Sequence, residues 1–244
     1  MKLSYSKISS FERCPYAYKK TYIEKVPPQA KKYFSFGHSL HGALEEFYSS
    51  PLLYRLGLKK PTKNNLRRAL LKRWIKGGST PEENEAALRD AEIIIEKYYE
   101  TFISDSFTPA WRVEAPFSFT AGRHTVMGII DRIHRLGEHF EIIDYKTNKK
   151  IPQEENLKRD LQLYIYYLGC REFFRKNIAR VSYIFLRYMK KISFDTSSFD
   201  DDGIRNRLAS AGDRMAAEKD FLPRRNMFCG ACDFRKECGI FESV

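Results

Sequence analysis

The chain changes its hydrophobic pattern twice along its length. Apolar residues first recur every three or four positions, then alternate with polar residues, and then mix both patterns. Helices are predicted for residues 4–25, 36–48, 62–76, 82–104, 154–176 and 204–219. Strands are predicted for residues 111–120, 124–136, 139–147, 180–189 and 191–199. The tail from residue 221 to 244 is predicted to be a loop.

The order of these elements predicts an α/β protein with a central mixed sheet flanked by helices. Turns at Gly122 and Gly137 join the first three strands into an antiparallel meander. The helices on either side of Gly77-Gly78 read as a helical insertion over residues 55–105. We expect one domain over residues 1–244.

Composition adds a strongly basic surface to this picture. The 244 residues include 43 Lys and Arg against 31 Asp and Glu, giving a formal net charge of +12. Such a surface favours nucleic acid or another acidic partner. No signal peptide or membrane-spanning stretch is recognisable, so we expect a cytoplasmic protein with no membrane partner. The phosphate-binding loop of nucleotide-driven motors is missing from the sequence.

One predicted strand carries the first candidate chemistry. Asp144 and Lys146 lie two residues apart at its end, so their side chains point to the same face. Asp131 lies in an apolar part of the neighbouring strand, where its carboxylate can converge with that of Asp144. Converging carboxylates raise a pKa or bind a divalent cation such as Mg²⁺ or Mn²⁺. Lys146 could then orient an attacking water and stabilise a phosphate, although a purely structural Asp–Lys pair gives the same pattern.

Further candidates lie on helices and on the first strand. Gln162 and Tyr166 share a helix face, which suits either core packing or contact with a nucleic acid backbone. Taken alone, His41 is as consistent with an ordinary helix histidine as with a metal ligand. Glu114 is a possible additional carboxylate. The remaining histidines are predicted to be structural at His134 and exposed at His38, His124 and His139.

Four of the five cysteines suggest a second metal centre. Cys229-x-x-Cys232-x5-Cys238 forms a compact trio, and Cys14 stands alone near the other end. Four thiolates hold either zinc or an iron–sulfur cluster, but a zinc ribbon usually has two Cys-x-x-Cys pairs. Cys170 lies among apolar residues and is predicted to be a buried, inert side chain.

The motifs occur in a recognisable order along the chain. They are Leu3-Ser4-Tyr5-Ser6, Phe11-x-x-Cys14-Pro15, Gly37-x-x-x-His41-x-x-Leu44-Glu45, Gly128-Ile129-Ile130-Asp131-Arg132, Ile143-Asp144-Tyr145-Lys146-Thr147, Gln162-x-x-x-Tyr166 and the cysteine trio. This series resembles the PD-(D/E)XK nucleases of the RecB/AddB type, which include the CRISPR-associated iron–sulfur exonucleases. The resemblance runs from Leu3 to Cys238.

The resemblance implies a restriction-endonuclease-like core and a set of residue roles. The expected ligands of Mg²⁺ or Mn²⁺ are His41, Asp131, Asp144 and the carbonyl of Tyr145. Lys146 is expected to assist hydrolysis, and Gln162 and Tyr166 to contact DNA. Cys14, Cys229, Cys232 and Cys238 would bind a 4Fe–4S cluster, with zinc as the alternative. That cluster would join residues 1–25 to residues 221–244 as a structural staple.

The expected function is therefore a Mg²⁺- or Mn²⁺-dependent deoxyribonuclease. The resemblance favours an exonuclease that acts on single-stranded DNA or DNA ends, in DNA repair or a CRISPR pathway. A separate helicase or integrase partner is compatible with this expectation. The rival interpretation is a non-catalytic iron–sulfur scaffold that binds DNA. Such a scaffold would be expected to lack an acid or the lysine, and Asp131, Asp144 and Lys146 are all present.

Overall fold

A computed structural model describes residues 1–27, 32–49, 52–56 and 58–240. The chain divides into two compact units. The smaller unit consists of Met1–Gln29, Ser118–Gly128 and Asp200–Val244, and the larger unit of Ala30–Phe117 and Ile129–Phe199. Residue 57 of the predicted insertion and the last four residues of the predicted tail lie outside the described residues.

Helices and strands of the described residues have the following bounds. The α-helices are α1 (Tyr5–Arg13), α2 (Pro15–Tyr18), α3 (Lys32–Tyr48), α4 (Leu52–Arg55), α5 (Lys63–Arg73), α6 (Pro81–Phe102), α7 (Glu154–Lys158), α8 (Leu161–Phe173) and α9 (Asp201–Ala217). The strands are β1 (Lys2–Leu3), β2 (Ala110–Ala121), β3 (His124–Leu136), β4 (His139–Lys146), β5 (Ile178–Phe185) and β6 (Lys190–Asp195).

The larger unit contains a mixed sheet in the order β3-β4-β5-β6, and β2 pairs with β3. Strands β3 and β4 are antiparallel, with Arg132 opposite Ile143. Strands β4 and β5 are parallel and β5 and β6 are antiparallel. The predicted α/β fold with a mixed central sheet is therefore confirmed.

The side chains of β4 alternate between the two faces of the sheet, and helices pack on both faces. Ile143 and Tyr145 join the hydrophobic core formed with α3, α5 and α6. Asp144 and Lys146 face α8 on the other side, where they meet Gln162. Helix α8 also approaches β2 closely, since a Cβ on Gly169 would lie 2.2 Å from the Phe117 ring. These layers place the polar end of β4 between α3 and α8.

The smaller unit contains β1, α1, α2 and α9, with β1 parallel to the start of β3. His124 is buried here rather than exposed as predicted. Its imidazole lies 3.0 Å from Asp213 Oδ1 on α9, and the ring leaves no room for a Cβ on Gly212. A buried histidine needs such a polar partner, which the sequence alone does not reveal. His38 and His139 are exposed, as predicted.

Two predicted helices are interrupted in the structure. The helix over residues 4–25 breaks at Cys14, because Pro15 disfavours helical backbone before it and begins α2. A π-helical turn, Lys19–Ile23, then follows α2. The helix over residues 154–176 breaks before Leu161, where the Asp160 side chain accepts a hydrogen bond from the backbone N–H of Gln162 and caps α8. None of the helices in the described ranges is long and apolar enough to cross a membrane.

Candidate active site

The two candidate carboxylates lie where β3 and β4 stop pairing. Arg132 and Ile143 form the last pair of the ladder, and Asp131 and Asp144 lie one residue beyond this pair on the two strands. Strand β4 continues beside β5 as far as the pair Lys146 and Phe185. The end of β4 is therefore paired with β5 on one side but no longer paired with β3 on the other, which leaves room for polar side chains between β3 and β4.

Asp131 is held by the main chain of β4. Its Oδ2 accepts a 2.8 Å hydrogen bond from the Tyr145 N–H and lies 3.4 Å from His41 Nδ1. The His41 ring also meets the Tyr145 ring edge to face, with 5.9 Å between centroids. The imidazole of α3 therefore contacts both the Asp131 carboxylate and the ring of Tyr145, the residue whose N–H donates to that carboxylate.

Asp144, Lys146 and Gln162 form a closed set of contacts on the opposite face. Lys146 Nζ lies 2.8 Å from Asp144 Oδ2 and donates to Gln162 Oε1 at 2.6 Å. The Gln162 amide donates to Asp144 Oδ1 at 3.1 Å and to the Tyr166 hydroxyl at 2.8 Å. Asp144 is only 2% exposed. The glutamine therefore orients the acid and the lysine together, and Tyr166 orients the glutamine.

The ionisation of the site reflects burial and crowding of like charges. Burial raises the pKa of Asp144 to about 6; Lys146 opposes this shift and the charge of Asp131 adds to it. Burial also raises the pKa of Glu114 to about 7, with the charges of Asp131 and Glu45 contributing. For His41, burial lowers the pKa, but the hydrogen bond and charge of Asp131 outweigh burial and raise it overall. The acids therefore repel one another and attract positive charge.

Glu45 and Glu114 belong to this electrostatic environment, although no role is predicted for Glu45 from the sequence. Glu45 lies one turn after His41 on α3, so the spacing of four residues was a usable signal. Glu114 has a backbone φ of +42° in β2, a strained value for a residue other than glycine. No sequence pattern predicts that conformation. Glu114 thus interacts electrostatically with Asp131, His41 and Asp144, and Glu45 interacts with Glu114.

A buried cation lies behind the site on the core face of the sheet. Arg132 is 5% exposed, and its guanidinium lies 4.1 Å from the centre of the Tyr48 ring. Its Nη1 donates to the Tyr98 hydroxyl at 3.1 Å. The hydroxyls of Tyr48 and Tyr145 lie 3.0 and 3.2 Å from that of Tyr98. This arginine cage, made of Arg132 and the three tyrosines, fixes the side chain of the residue between Asp144 and Lys146.

The donor set suits a hard divalent cation. Two carboxylates and an imidazole meet around the end of β4, and Mg²⁺ and Mn²⁺ take oxygen ligands, with Mn²⁺ also accepting imidazole. Across the described residues, no three His, Cys, Asp or Glu side chains are arranged so that they could hold a metal ion as they stand. The chemistry of the residues therefore fits such an ion, while the ligand geometry would have to form on binding.

The four motif cysteines lie in the smaller unit, near contacts between the two ends of the chain. Cys14 Sγ accepts a 3.4 Å hydrogen bond from the Arg224 N–H, and Cys229 Sγ accepts one of 3.3 Å from Asn226. The Arg224 guanidinium and the Asn226 amide also donate to carbonyls of α1. All five cysteines are described and are free thiols. Cys170 is fully buried, as predicted, and burial raises its pKa to about 12.

The comparison with protein families identifies the class of this fold and site. The family model of the PD-(D/E)XK nuclease superfamily matches residues 2–239. The chain belongs to that superfamily. A search of curated proteins found no significant match. The crystal structure of a protein named SSO0001 is similar at 17% sequence identity and a TM-score of 0.43, covering 97% of this chain and 85% of that chain.

Membership of the superfamily has direct consequences for function. PD-(D/E)XK proteins are generally nucleases and usually use Mg²⁺ or Mn²⁺, and a nuclease domain implies DNA as a substrate. The expectation of a nuclease is confirmed at the level of the superfamily. Superfamily membership does not decide the finer expectations, which are the subtype, the iron–sulfur cluster, the DNA form and the role of each residue.

Proposed function

We propose that this chain is a Mg²⁺- or Mn²⁺-dependent deoxyribonuclease of the RecB/AddB type. One observation carries the proposal: Lys146 contacts both Asp144 and Gln162 at the end of β4, while Asp131 accepts a hydrogen bond from the intervening Tyr145 amide. Burial of an acid–lysine–glutamine set of this kind has a desolvation cost, and ionisable groups perturbed in this way cluster at functional sites.

The residues proposed to hold the metal are His41, Asp131, Asp144 and the carbonyl oxygen of Tyr145. When bound there, the ion would polarise a phosphodiester and lower the pKa of a water molecule. Asp131 is prepared for this role because the Tyr145 N–H fixes one of its oxygens. Asp144 is prepared because Lys146 and Gln162 approach both of its oxygens.

Lys146 is proposed as the residue that acts on the scissile phosphate. Its ammonium group has three donors, of which Asp144 and Gln162 occupy two. The remaining donor can stabilise negative charge on a phosphate oxygen or orient the attacking water. Gln162 and Tyr166 then hold the lysine in place. Both are also proposed to contact the DNA backbone, for which Gln162 would exchange one of its two present acceptors for a phosphate oxygen.

Single-stranded DNA or DNA ends are the proposed substrates, and exonuclease action the proposed mode. The formal charge of +12 supports a polyanionic substrate without selecting its form. The motif resemblance carries the choice of ends and single strands, and a separate helicase or integrase partner is compatible with it. The helices between residues 55 and 105 are proposed as an insertion within one nuclease domain.

We further propose a 4Fe–4S cluster on Cys14, Cys229, Cys232 and Cys238, with zinc as the alternative. The hydrogen bonds from backbone N–H groups to Cys14 and Cys229 support this, because such bonds stabilise thiolate ligands. The cluster would reinforce the contacts between α1 and the segment around Arg224. Its proposed role is structural.

The nuclease proposal is tested with purified protein and DNA labelled at its 5′ or 3′ end. Single-stranded and duplex substrates are incubated with Mg²⁺ or Mn²⁺, and parallel reactions contain a chelator. The proposal expects metal-dependent shortening of single-stranded DNA or of DNA ends. Binding without cutting under every metal condition would instead favour the iron–sulfur DNA-binding scaffold.

A further inference from the structure

The residues that follow β5 lie beside Lys146 and the residue after it. The Leu186 amide donates to the Lys146 carbonyl, and Arg187 Nε donates to the Thr147 carbonyl, both at 2.9 Å. Arg187 is therefore tied to the residue that follows the candidate lysine. Lys149 and Lys150 come shortly after on the same segment and are exposed. A basic edge thus begins directly beside the site.

Arg187 is arranged as a phosphate-binding residue. Its guanidinium lies over the Phe36 ring at 4.6 Å from the centroid, which holds the group in one orientation. Across the described ranges no carboxylate pairs with it, so only its Nε is used by the protein. A stacked guanidinium with open terminal nitrogens can receive a phosphate through two parallel hydrogen bonds.

Phe36 links Arg187 to Trp74. The two rings meet edge to face with 6.5 Å between centroids. Trp74 directly follows α5 with extended backbone, and residues 74–78 are not helical, contrary to the predicted helix over residues 62–76. The Ile75 amide donates to Ser39 Oγ at 2.9 Å, which fastens this extended segment to α3. The position of Trp74 relative to Arg187 is therefore set by packing and by a hydrogen bond.

Trp74 also forms a wall of a cavity of about 350 Å³. Pro81 and Leu88 supply the other apolar walls, and Lys76 and Glu85 contribute one positive and one negative side chain to the lining. The first turn of α6 carries Glu82 and Glu83, which disfavour a phosphate at this helix start. The cavity has the size of a small-ligand site and suits a neutral, planar group.

We propose that this cavity receives an unpaired base of single-stranded DNA, stacked on Trp74, while Arg187 binds a backbone phosphate between that base and the cleavage site. The inference rests on the proposed nuclease function and specifies its substrate form. A base within a duplex is stacked and paired on its neighbours, so it is not available to the cavity. Stacking on an aromatic side chain is tolerant of sequence, as a nuclease of broad specificity requires.

Tryptophan fluorescence tests the inference without relying on cleavage. The chain has two tryptophans, Trp74 and Trp111, so each single-tryptophan variant reports on one site. Both variants are made in an Asp144→Asn background, which prevents cutting, and their folding is checked by circular dichroism. With Trp111→Phe, adding a single-stranded oligothymidine should quench the emission of Trp74 to saturation. With Trp74→Phe, the emission of Trp111 should change little.

Three comparisons make the test specific. An oligomer of the same length without bases should bind but should not quench Trp74. Replacing Trp74 by Ala should weaken single-strand binding by roughly 5- to 100-fold, which corresponds to the loss of one stacked base, and leave duplex binding unchanged. Arg187→Gln should reduce the slope of log affinity against log salt concentration by about 1, the change expected for one lost phosphate contact.

The outcomes separate this inference from the proposed function. Saturable quenching of Trp74 supports the base site even when the unmutated protein cuts no DNA, which would overturn the nuclease proposal alone. Metal-dependent cutting by the unmutated protein together with an unquenched Trp74 overturns the base site alone. Equal quenching by the baseless oligomer also overturns it, because phosphate contact would then suffice.

Discussion

The Tyr145 backbone N–H donates a 2.8 Å hydrogen bond to Oδ2 of Asp131, across the point where β3 and β4 part. Tyr145 lies between Asp144 and Lys146, so this bond joins the two candidate acids through the main chain. Its side chain is held separately by the arginine cage. The geometry of the site therefore depends on both faces of a single strand.

Gln162 should be needed for catalysis more than for folding. Gln162→Leu removes the acceptor of Lys146 and a donor to Asp144, and should lower kcat by about 10- to 100-fold, as losses of residues that orient metal ligands do. Steady-state kinetics and thermal melts measure the two effects. Gln153→Leu, an exposed glutamine before α7, is the matched control and should leave kcat unchanged. Equal kcat in both variants would contradict the proposed role.

The arginine cage should contribute strongly to stability. Tyr98→Phe removes a hydroxyl that contacts Tyr48, Tyr145 and the Arg132 guanidinium. The loss should reduce the free energy of unfolding by about 1 to 3 kcal/mol, because buried polar groups lose their partner. Urea denaturation measures this change. Tyr188→Phe removes a hydroxyl that donates to the Lys149 carbonyl at an exposed position, where water can replace the bond, and should change it by less than about 0.5 kcal/mol. Similar values for the two variants would show that the cage is not specifically stabilising.

Metal affinity should fall at acid pH. The site contains carboxyl groups with raised pKa values, about 6 for the proposed ligand Asp144 and about 7 for the neighbouring Glu114. A metal binds the ionised carboxylate, so protons compete increasingly as pH falls below 7 and then through 6. Calorimetric titration with Mn²⁺ from pH 8 to 5 should show affinity falling about tenfold per pH unit for each displaced proton. An affinity independent of pH over this range would argue against ligation at Asp144.

The extent of the sequence prediction can be seen in particular elements. Strands β3 and β4 were predicted to within a residue, because alternation and glycine turns are local signals. The breaks before Pro15 and Leu161 were missed, although Pro15 and the capping residue Asp160 were local signals for them. The strand β1 was also missed, since two residues carry no periodicity.

The candidate site shows the same division between local and long-range information. The pairing of Asp144 with Lys146 follows from their spacing on one strand, and is present in the structure. The cage around Arg132 combines residues from α3, α6, β3 and β4, and no local pattern announces it. Glu114 approaches Asp131 through an unusual backbone conformation. Contacts of this kind depend on tertiary packing and are invisible in a single sequence.

The cysteine proposal is tested by iron content. Protein purified without oxygen should be brown and contain about four irons per chain, and Cys14→Ala should lose most of them. Cys170→Ala is the matched control, because Cys170 is buried in α8 and belongs to the other unit. It should retain its iron. Colourless protein that contains zinc would support the alternative metal.

The most direct test of the account compares Asp144→Asn with Asp195→Asn. Asp195 is an exposed residue of β6 and serves as the matched control. Both variants and the unmutated protein are assayed for Mn²⁺-dependent cutting of end-labelled DNA, with circular dichroism to confirm folding. We expect Asp144→Asn to lose at least about a thousandfold in rate, since a metal ligand contributes several kcal/mol, and Asp195→Asn to remain active. Full activity in folded Asp144→Asn would contradict the assignment of the active site.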